Sequence, residues 1–271
     1  MAAVYDLFEV LWRDYLAMTP QAEQVAQLLK KRGDVIINDH IALRTFAHDR
    51  VDIEVLDRAF VDGGYEPIES YEFKDKHLVA CHYEHAEPGM PKVFISSLLI
   101  DECSQNLRDI VHSLVGQIPK GLEADWRFAA SGRTWAVDSK TYRALLEESQ
   151  YAAWLAAFGY VANHFTIAAH KLKTVTSLTE LNDLLVAAGL PLNDTGGRIK
   201  GSPAAGLEQS STLAASINVK FSDCEESIPS CYYEFAYRHP KADGSLFQGF
   251  IADSATNLFT STDRSVGEEV S

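Results

Sequence analysis

Three side chains that can bind a metal stand inside apolar, strand-like runs. They are His40 in Ile36–Phe46 (IINDHIALRTF), His164 in Tyr160–Ala169 (YVANHFTIAA) and Glu234 in CYYEFAYRH. Such groups are costly to bury without a partner. Side chains of a strand alternate between faces, so His40, Ala42, Arg44 and Phe46 share one face, and Tyr232, Glu234, Ala236 and Arg238 share another. Two imidazoles and a carboxylate on three strands lining one pocket make a facial triad. That donor set leaves coordination positions open and favours non-haem Fe(II); manganese, nickel, cobalt or zinc also fit. Arg44 adds a permanent cation on the face of His40, which a carboxylate would satisfy. The plainer alternative is a core histidine bonded to a backbone carbonyl beside a structural arginine ion pair.

The spacing does not single out these residues. The chain has 9 histidines. The main rival is HYEH, where His82 and Glu84 share a face and His85 lies opposite; the pattern places them partly exposed at a strand end. His170 turns inward if its strand persists that far. His48, His77, His112 and His239 lie in polar surroundings and read as surface residues. The stretch Gly196–Thr212 (GGRIKGSPAAGLEQSST) is the candidate second wall of the pocket, with Arg198 and Lys200 as cations and Gln209, Ser210 and Ser211 as neutral donors. An ordinary solvated loop has the same composition. Arg238 is either a support for the site or a strand-end ion pair.

The elements that must position these residues recur. Apolar spacing predicts helices over Tyr5–Leu16 and from Pro20, behind a Thr19 cap, to Lys31. After the strand around His40 comes a helix over Asp52–Gly63, then strands at Tyr65–Tyr71, Leu78–Glu84 and Val93–Leu99. A helix over Asp101–Ile118 leads into an insertion with helical character near Tyr142–Ala157, onto which Trp126, Trp135 and Trp154 pack. The second half reads the same way: the strand of His164, a helix over Ser177–Ala188, then strand-like pieces at Gly196–Lys200, Thr212–Phe221 and Ser230–Arg238, with a loop around Gly206. NDHIALRTF and ANHFTIAAH place histidine at the same point of the repeat. The expected organisation is a single α+β domain of two βαβββ modules, residues 33–100 and 159–240. A helical insertion (101–158) separates them and a C-terminal extension (241–271) follows. A short helix is expected near Ser254–Phe259, and the acidic end from Asp263 is expected to fray.

The composition bounds the function. The chain has 271 residues, 46% hydrophobic, enough for a sizeable core. A net charge of -14 argues against nucleic acid and anionic membrane surfaces. It does not exclude a small acidic substrate, since one local arginine dominates at contact distance. Cys81, Cys103, Cys224 and Cys231 form no metal or disulfide pattern, and no stretch is apolar enough to span a membrane. Charged residues near the start argue against a signal peptide. The expectation is a cytoplasmic protein with reduced thiols.

NDHIALRTF, NHFTI, LEQSST and YYEFAYR resemble segments of the 2-oxoadipate dioxygenase/decarboxylase (hydroxyglutarate synthase) family of the vicinal-oxygen-chelate superfamily. The resemblance runs from the first strand to Phe259. It implies paired modules curving around a metal pocket and Fe(II) held by His40, His164 and Glu234. It also implies Arg44 gripping a substrate carboxylate, and conversion of 2-oxoadipate and O2 to 2-hydroxyglutarate and CO2. Arg44 and Glu234 are then the catalytic candidates, with Arg44, Arg198, Gln209 and Ser210 at the substrate. The partners expected are a small 2-oxo acid and O2, and a homodimer is compatible with the sequence. Two other classes fit the same fold: a glyoxalase-like metal-dependent isomerase or hydrolase that does not use oxygen, and a non-catalytic protein that sequesters a small ligand.

Overall fold

The computed structural model describes residues 2–251. Its strands are β1 (Asn38–Phe46), β2 (Tyr65–Phe73), β3 (Leu78–His85), β4 (Lys92–Leu98), β5 (His164–Ala168), β6 (Lys200–Ser202), β7 (Leu207–Ser211), β8 (Ser216–Lys220), β9 (Glu225–Pro229) and β10 (Tyr232–Arg238). Eight of them form one curled sheet in the order β2-β3-β4-β1-β5-β10-β7-β6. Each half repeats one plan. The first strand of the module pairs in parallel with its last, β1 with β4 and β5 with β10, while the middle strands run antiparallel outward. A parallel pair needs a crossover, which the helices of each module begin. The halves meet at the antiparallel β1–β5 seam, where His40 lies opposite Thr166 and Ala42 opposite His164. That reciprocal register is what a two-fold relation between modules produces, and it brings both histidines to the middle of the sheet. This is the paired βαβββ architecture expected from the sequence.

The outer face of the sheet is covered by α1 (Ala2–Met18) and α2 (Pro20–Lys31). Val4, Leu7, Leu11 and Tyr15 recur at helical spacing and are all buried. Trp12 meets Phe165 edge-on at 4.8 Å, and the Tyr15 hydroxyl donates to the Tyr232 carbonyl at 2.6 Å. Pro20 occupies the first turn as expected, but Thr19 makes no side-chain capping bond. The remaining helices are α3 (Ile53–Leu56), α4 (Arg58–Asp62), α5 (Gln105–Gly116), α6 (Ser139–Glu148), α7 (Gln150–Phe158) and α8 (Leu178–Ala187). α7 is apolar nearly all round and buried from Tyr151 onward. Gly159 ends it with φ +71°, and a Cβ there would collide with the backbone of Gly132. Only glycine meets both conditions.

Several expectations need correction. The helix over 52–63 is two short helices broken at Asp57. The stretch 196–212 is not a single loop: it contains β6 and β7 as a hairpin on the sheet edge. The strand expected at 212–221 is β8, which pairs with β9 in a separate ribbon outside the main sheet. Trp135 and Trp154 are buried as packing residues, but Trp126 is 38% exposed, with the guanidinium of Arg127 over its ring. The expected helix near 254–259 and the tail from 263 lie outside the described residues. Among the described residues no helix is long and apolar enough to cross a membrane, and the four cysteines are free thiols.

Candidate metal centre

The seam and the β5–β10 pairing decide the site. β1 presents His40, β5 presents His164 and β10 presents Glu234, all on the concave face. Their ligand atoms lie within 4.8 Å of one another, the only such cluster of three among the described residues. His40 Nε2 is 3.4 Å from Glu234 Oε1, and His164 Nε2 is 3.4 Å from Glu234 Oε2. Glu234 is 1% exposed. Burial pushes its carboxyl up from the usual range, while His40 and a hydrogen bond from Gln209 pull the other way. Burial, then the neighbouring His40 and Arg44, holds the His164 imidazole well below its ordinary value. Two imidazole Nε2 atoms facing one buried carboxylate form a centre short of positive charge. The donor set therefore fits a divalent ion with open positions.

The repeat explains why there are three ligands and not four. Glu234 lies opposite Thr166 on β5, and the equivalent place on β4, opposite Ala42, is Phe94. One module supplies histidine and carboxylate; the other supplies histidine and a ring. Phe94 packs 5.1 Å from Phe250, which lies edge-on to the His40 ring at 4.8 Å. One side of the centre is thus walled by aromatic groups.

Around the ligands lies a shell of hydrogen bonds. His40 Nδ1 is 2.8 Å from Asp39 Oδ1, and Arg238 grips both oxygens of Asp39 at 2.7 and 2.8 Å. Burial would raise the Asp39 carboxyl, but the charge of Arg238 and the bonds from His40 and Arg238 take it far below the usual range. His164 Nδ1 is 3.0 Å from Asn163 Oδ1. Gln209 Nε2 donates to Glu234 Oε1 at 2.6 Å, and Thr166 Oγ1 lies 3.1 Å from His40 Nε2. Tyr232 stacks on His164 with centroids 4.7 Å apart.

Arg44 is buried two strand positions beyond Ala42, with its guanidinium carbon 4.9 Å from the ring centres of both Tyr151 and Trp154. α7 therefore does more than plug the insertion onto the body: it closes aromatic faces around the cation. A cavity of about 390 Å³ reaches Arg44 between β3–β4 and the α6–α7 turn, lined also by His77, Leu98, Glu148 and Tyr151. None of the three metal candidates lines it.

The other candidates separate. Gln209 joins the cluster, but through Glu234. Ser210 points to the opposite face, where its hydroxyl bonds to Asn182 of α8 at 2.7 Å. Arg198 sits at the surface in an ion pair with Asp194 at 2.7 Å. Neither is brought to the centre: Arg198 precedes β6 at the surface, and alternation along β7 puts Ser210 on the face opposite Gln209. Lys200 is buried, with its ammonium donating to the Asn193 carbonyl at 2.9 Å. His82, expected to be partly exposed, is 1% exposed: Phe250 covers it, and Tyr71 and Glu84 occupy its nitrogens. His170 follows the end of β5 in a single turn and accepts from the Arg238 N–H. Asp39, Asn163, Thr166 and Tyr151 were not identified from the sequence; the Asx-His dipeptide repeated in both halves was the available signal.

The profile of the 2-oxoadipate dioxygenase/decarboxylase family matches residues 1–119 and 126–256. The chain is 38% identical over 240 residues to the chloroplastic 2-oxoadipate dioxygenase/decarboxylase of Arabidopsis thaliana, covering 83% of this chain and 65% of that protein. It thus spans slightly under two thirds of that relative's length. The structure of hydroxyglutarate synthase from Oryza sativa in complex with 2-oxoadipate superposes with a TM-score of 0.90 at 33% identity, over 96% of this chain and 91% of that one. A Shewanella frigidimarina protein, described only provisionally as a hydrolase, superposes with a TM-score of 0.88 at 48% identity, over 92% and 98%.

Proposed function

The chain belongs to the 2-oxoadipate dioxygenase/decarboxylase family, and from that membership we propose that it is an Fe(II)-dependent enzyme converting a 2-oxo dicarboxylic acid, 2-oxoadipate, and O2 to 2-hydroxyglutarate and CO2. The observation that carries the reading is the convergence of His40, His164 and Glu234 on the face that also carries Arg44. The rice relative, whose structure holds 2-oxoadipate, supports the substrate class.

In this reading His40, His164 and Glu234 hold the ion. When bound, a divalent ion there supplies Lewis-acid polarisation and a template for the keto acid and oxygen. The chain's own residues do the rest. Arg44 receives the distal carboxylate, and its planar guanidinium offers two parallel donors that a lysine cannot reproduce. Tyr151 and Trp154 exclude water around that contact and strengthen it by lowering the local dielectric. Gln209 fixes one oxygen of Glu234. Phe94 and Phe250 give the centre a dry aromatic wall, which protects reactive species from side reactions with water.

The provisional hydrolase description of the Shewanella relative names the rival, on which turnover needs no oxygen. Incubating Fe(II)-loaded protein with 2-oxoadipate in air and under argon separates the two. The proposal expects 2-hydroxyglutarate by mass spectrometry in air only. Equal turnover under argon would favour the rival.

A further inference from the structure

β1 contains a fault whose consequence falls on the metal centre. Along the β1–β5 seam, Asn38 lies opposite Ile167 and His40 opposite Thr166, so two residues of β1 advance while β5 advances one. Asp39 is the extra residue of this bulge, and a bulge re-aims a side chain that strict alternation would send to the other face. Asp39 therefore shares the interior with His40, although the two are adjacent in sequence. It is 5% exposed on its side chain and meets His40 Nδ1 at 2.8 Å. Arg238, from the strand that carries Glu234, holds Asp39 by two short bonds and is itself tied to the carbonyls of Phe247 and Gly249 at 3.1 and 2.9 Å.

We infer that Asp39, clamped by Arg238, is a positioning residue that locks the His40 ring with its proton on Nδ1 and its Nε2 lone pair facing His164 and Glu234. The inference rests on the metal reading of the triad. Its chemistry is direct. A carboxylate only accepts hydrogen bonds, so the ring nitrogen 2.8 Å from Asp39 donates, whereas Glu234, 3.4 Å from Nε2, lies beyond a charge-assisted N–H···O bond and makes no such demand. In neutral imidazole the other nitrogen is then the acceptor, the form a metal requires. Thr166, 3.1 Å from Nε2, has a hydroxyl able to donate to that lone pair. The clamp also links two ligands mechanically: Glu234 and Arg238 lie on one face of β10, so the register that places the carboxylate also places the anchor of the opposing histidine. In the other module the ring of His164 is met by neutral Asn163 at the corresponding position. The pair is thus asymmetric, one imidazole backed by an anion and the other by an amide.

The test uses histidine labelled with 15N in the full chain, metal-free and at mildly alkaline pH, together with divalent-metal affinity by competition with a chelator. Wild type is expected to show His40 protonated on Nδ1. Asp39→Ala is expected to populate the Nε2–H form and to bind Fe(II) or Mn(II) about ten- to a hundredfold more weakly. Asp39→Asn retains an acceptor, so it should keep the Nδ1–H form and lose less. A role confined to fold stability would lower the melting temperature of Asp39→Ala and leave tautomer and affinity unchanged, which would overturn the proposal. If Asp39→Ala does not fold, wild type alone decides, since an Nε2–H tautomer for His40 contradicts the inference. Failure of wild type to bind any divalent ion would sink the metal reading and leave the tautomer result standing on its own.

Discussion

Replacing Arg44 by lysine keeps the charge and removes the fork. Two losses follow from its surroundings. The guanidinium lies 4.9 Å from two ring centres in a buried position, where each cation–π contact contributes up to about 2 kcal/mol. A compact ammonium cannot lie flat between both rings. Removing the partner of a buried carboxylate costs about 2–5 kcal/mol. Because lysine still supplies one charge, Arg44→Lys should fall at the low end, roughly thirtyfold in kcat/KM, and Arg44→Met at the high end, a few thousandfold. The assay is oxygen uptake with 2-oxoadipate beside 2-oxohexanoate, which has the same chain length and no distal carboxylate. Metal content should be unchanged in both variants. Wild type should discriminate strongly between the acids, and the variants should lose that preference mainly by losing 2-oxoadipate turnover. Unchanged kcat/KM for Arg44→Lys, or a wild type indifferent to the distal carboxylate, would refute the reasoning and return Arg44 to a purely structural role.

Three further substitutions have defined outcomes. His164→Ala should abolish stoichiometric metal binding while His82→Ala retains it, as read by metal analysis after gel filtration; equal metal content in wild type and His164→Ala would remove His164 from the ligand set. Gly159→Ala should lower stability by more than about 1 kcal/mol in urea unfolding, since it adds both a positive-φ penalty and a collision with Gly132; an unchanged midpoint would contradict the close approach. Asp34 accepts from the backbone N–H groups of Lys173 and Thr174 and from the Thr174 hydroxyl. Burial raises its carboxyl, but these bonds outweigh it and hold the folded value below the ordinary one. Its stabilisation is therefore complete above the ordinary aspartate pKa of about 3.9 and lost as pH falls below it toward the folded value. Asp34→Ala should destabilise the protein at neutral pH by about 1–3 kcal/mol and flatten that part of its acid unfolding profile; a parallel offset at every pH would show that the charge is not involved.

Much of this was legible from period and repeat. Strand alternation put His40 and Arg44 on one face, and the repeat put His40 and His164 at equivalent points of the two modules. What was missed came from places where local period fails or where contacts are remote. Asp39 sits in a bulge, where strict alternation does not hold, so the strand period offered no sign that it shares the interior with His40. Ser210 and Gln209 are neighbours whose faces depend on where the β6–β7 hairpin turns, and the glycines there did not fix that. Tyr151 and Trp154 reach Arg44 only because α7 docks against β1, more than 100 positions away in sequence. His82 looked exposed because its cover, Phe250, comes from the extension after the second module.

Oxidative decarboxylation at the His40–His164–Glu234 centre, as proposed, fixes a stoichiometry. Converting 2-oxoadipate to 2-hydroxyglutarate consumes one O2 and releases one CO2. Simultaneous oxygen-electrode and CO2 measurement on the Fe(II)-loaded protein should give a ratio of one to one, with neither gas changing in Glu234→Ala. CO2 release without oxygen uptake, or turnover that persists in Glu234→Ala, would contradict the account.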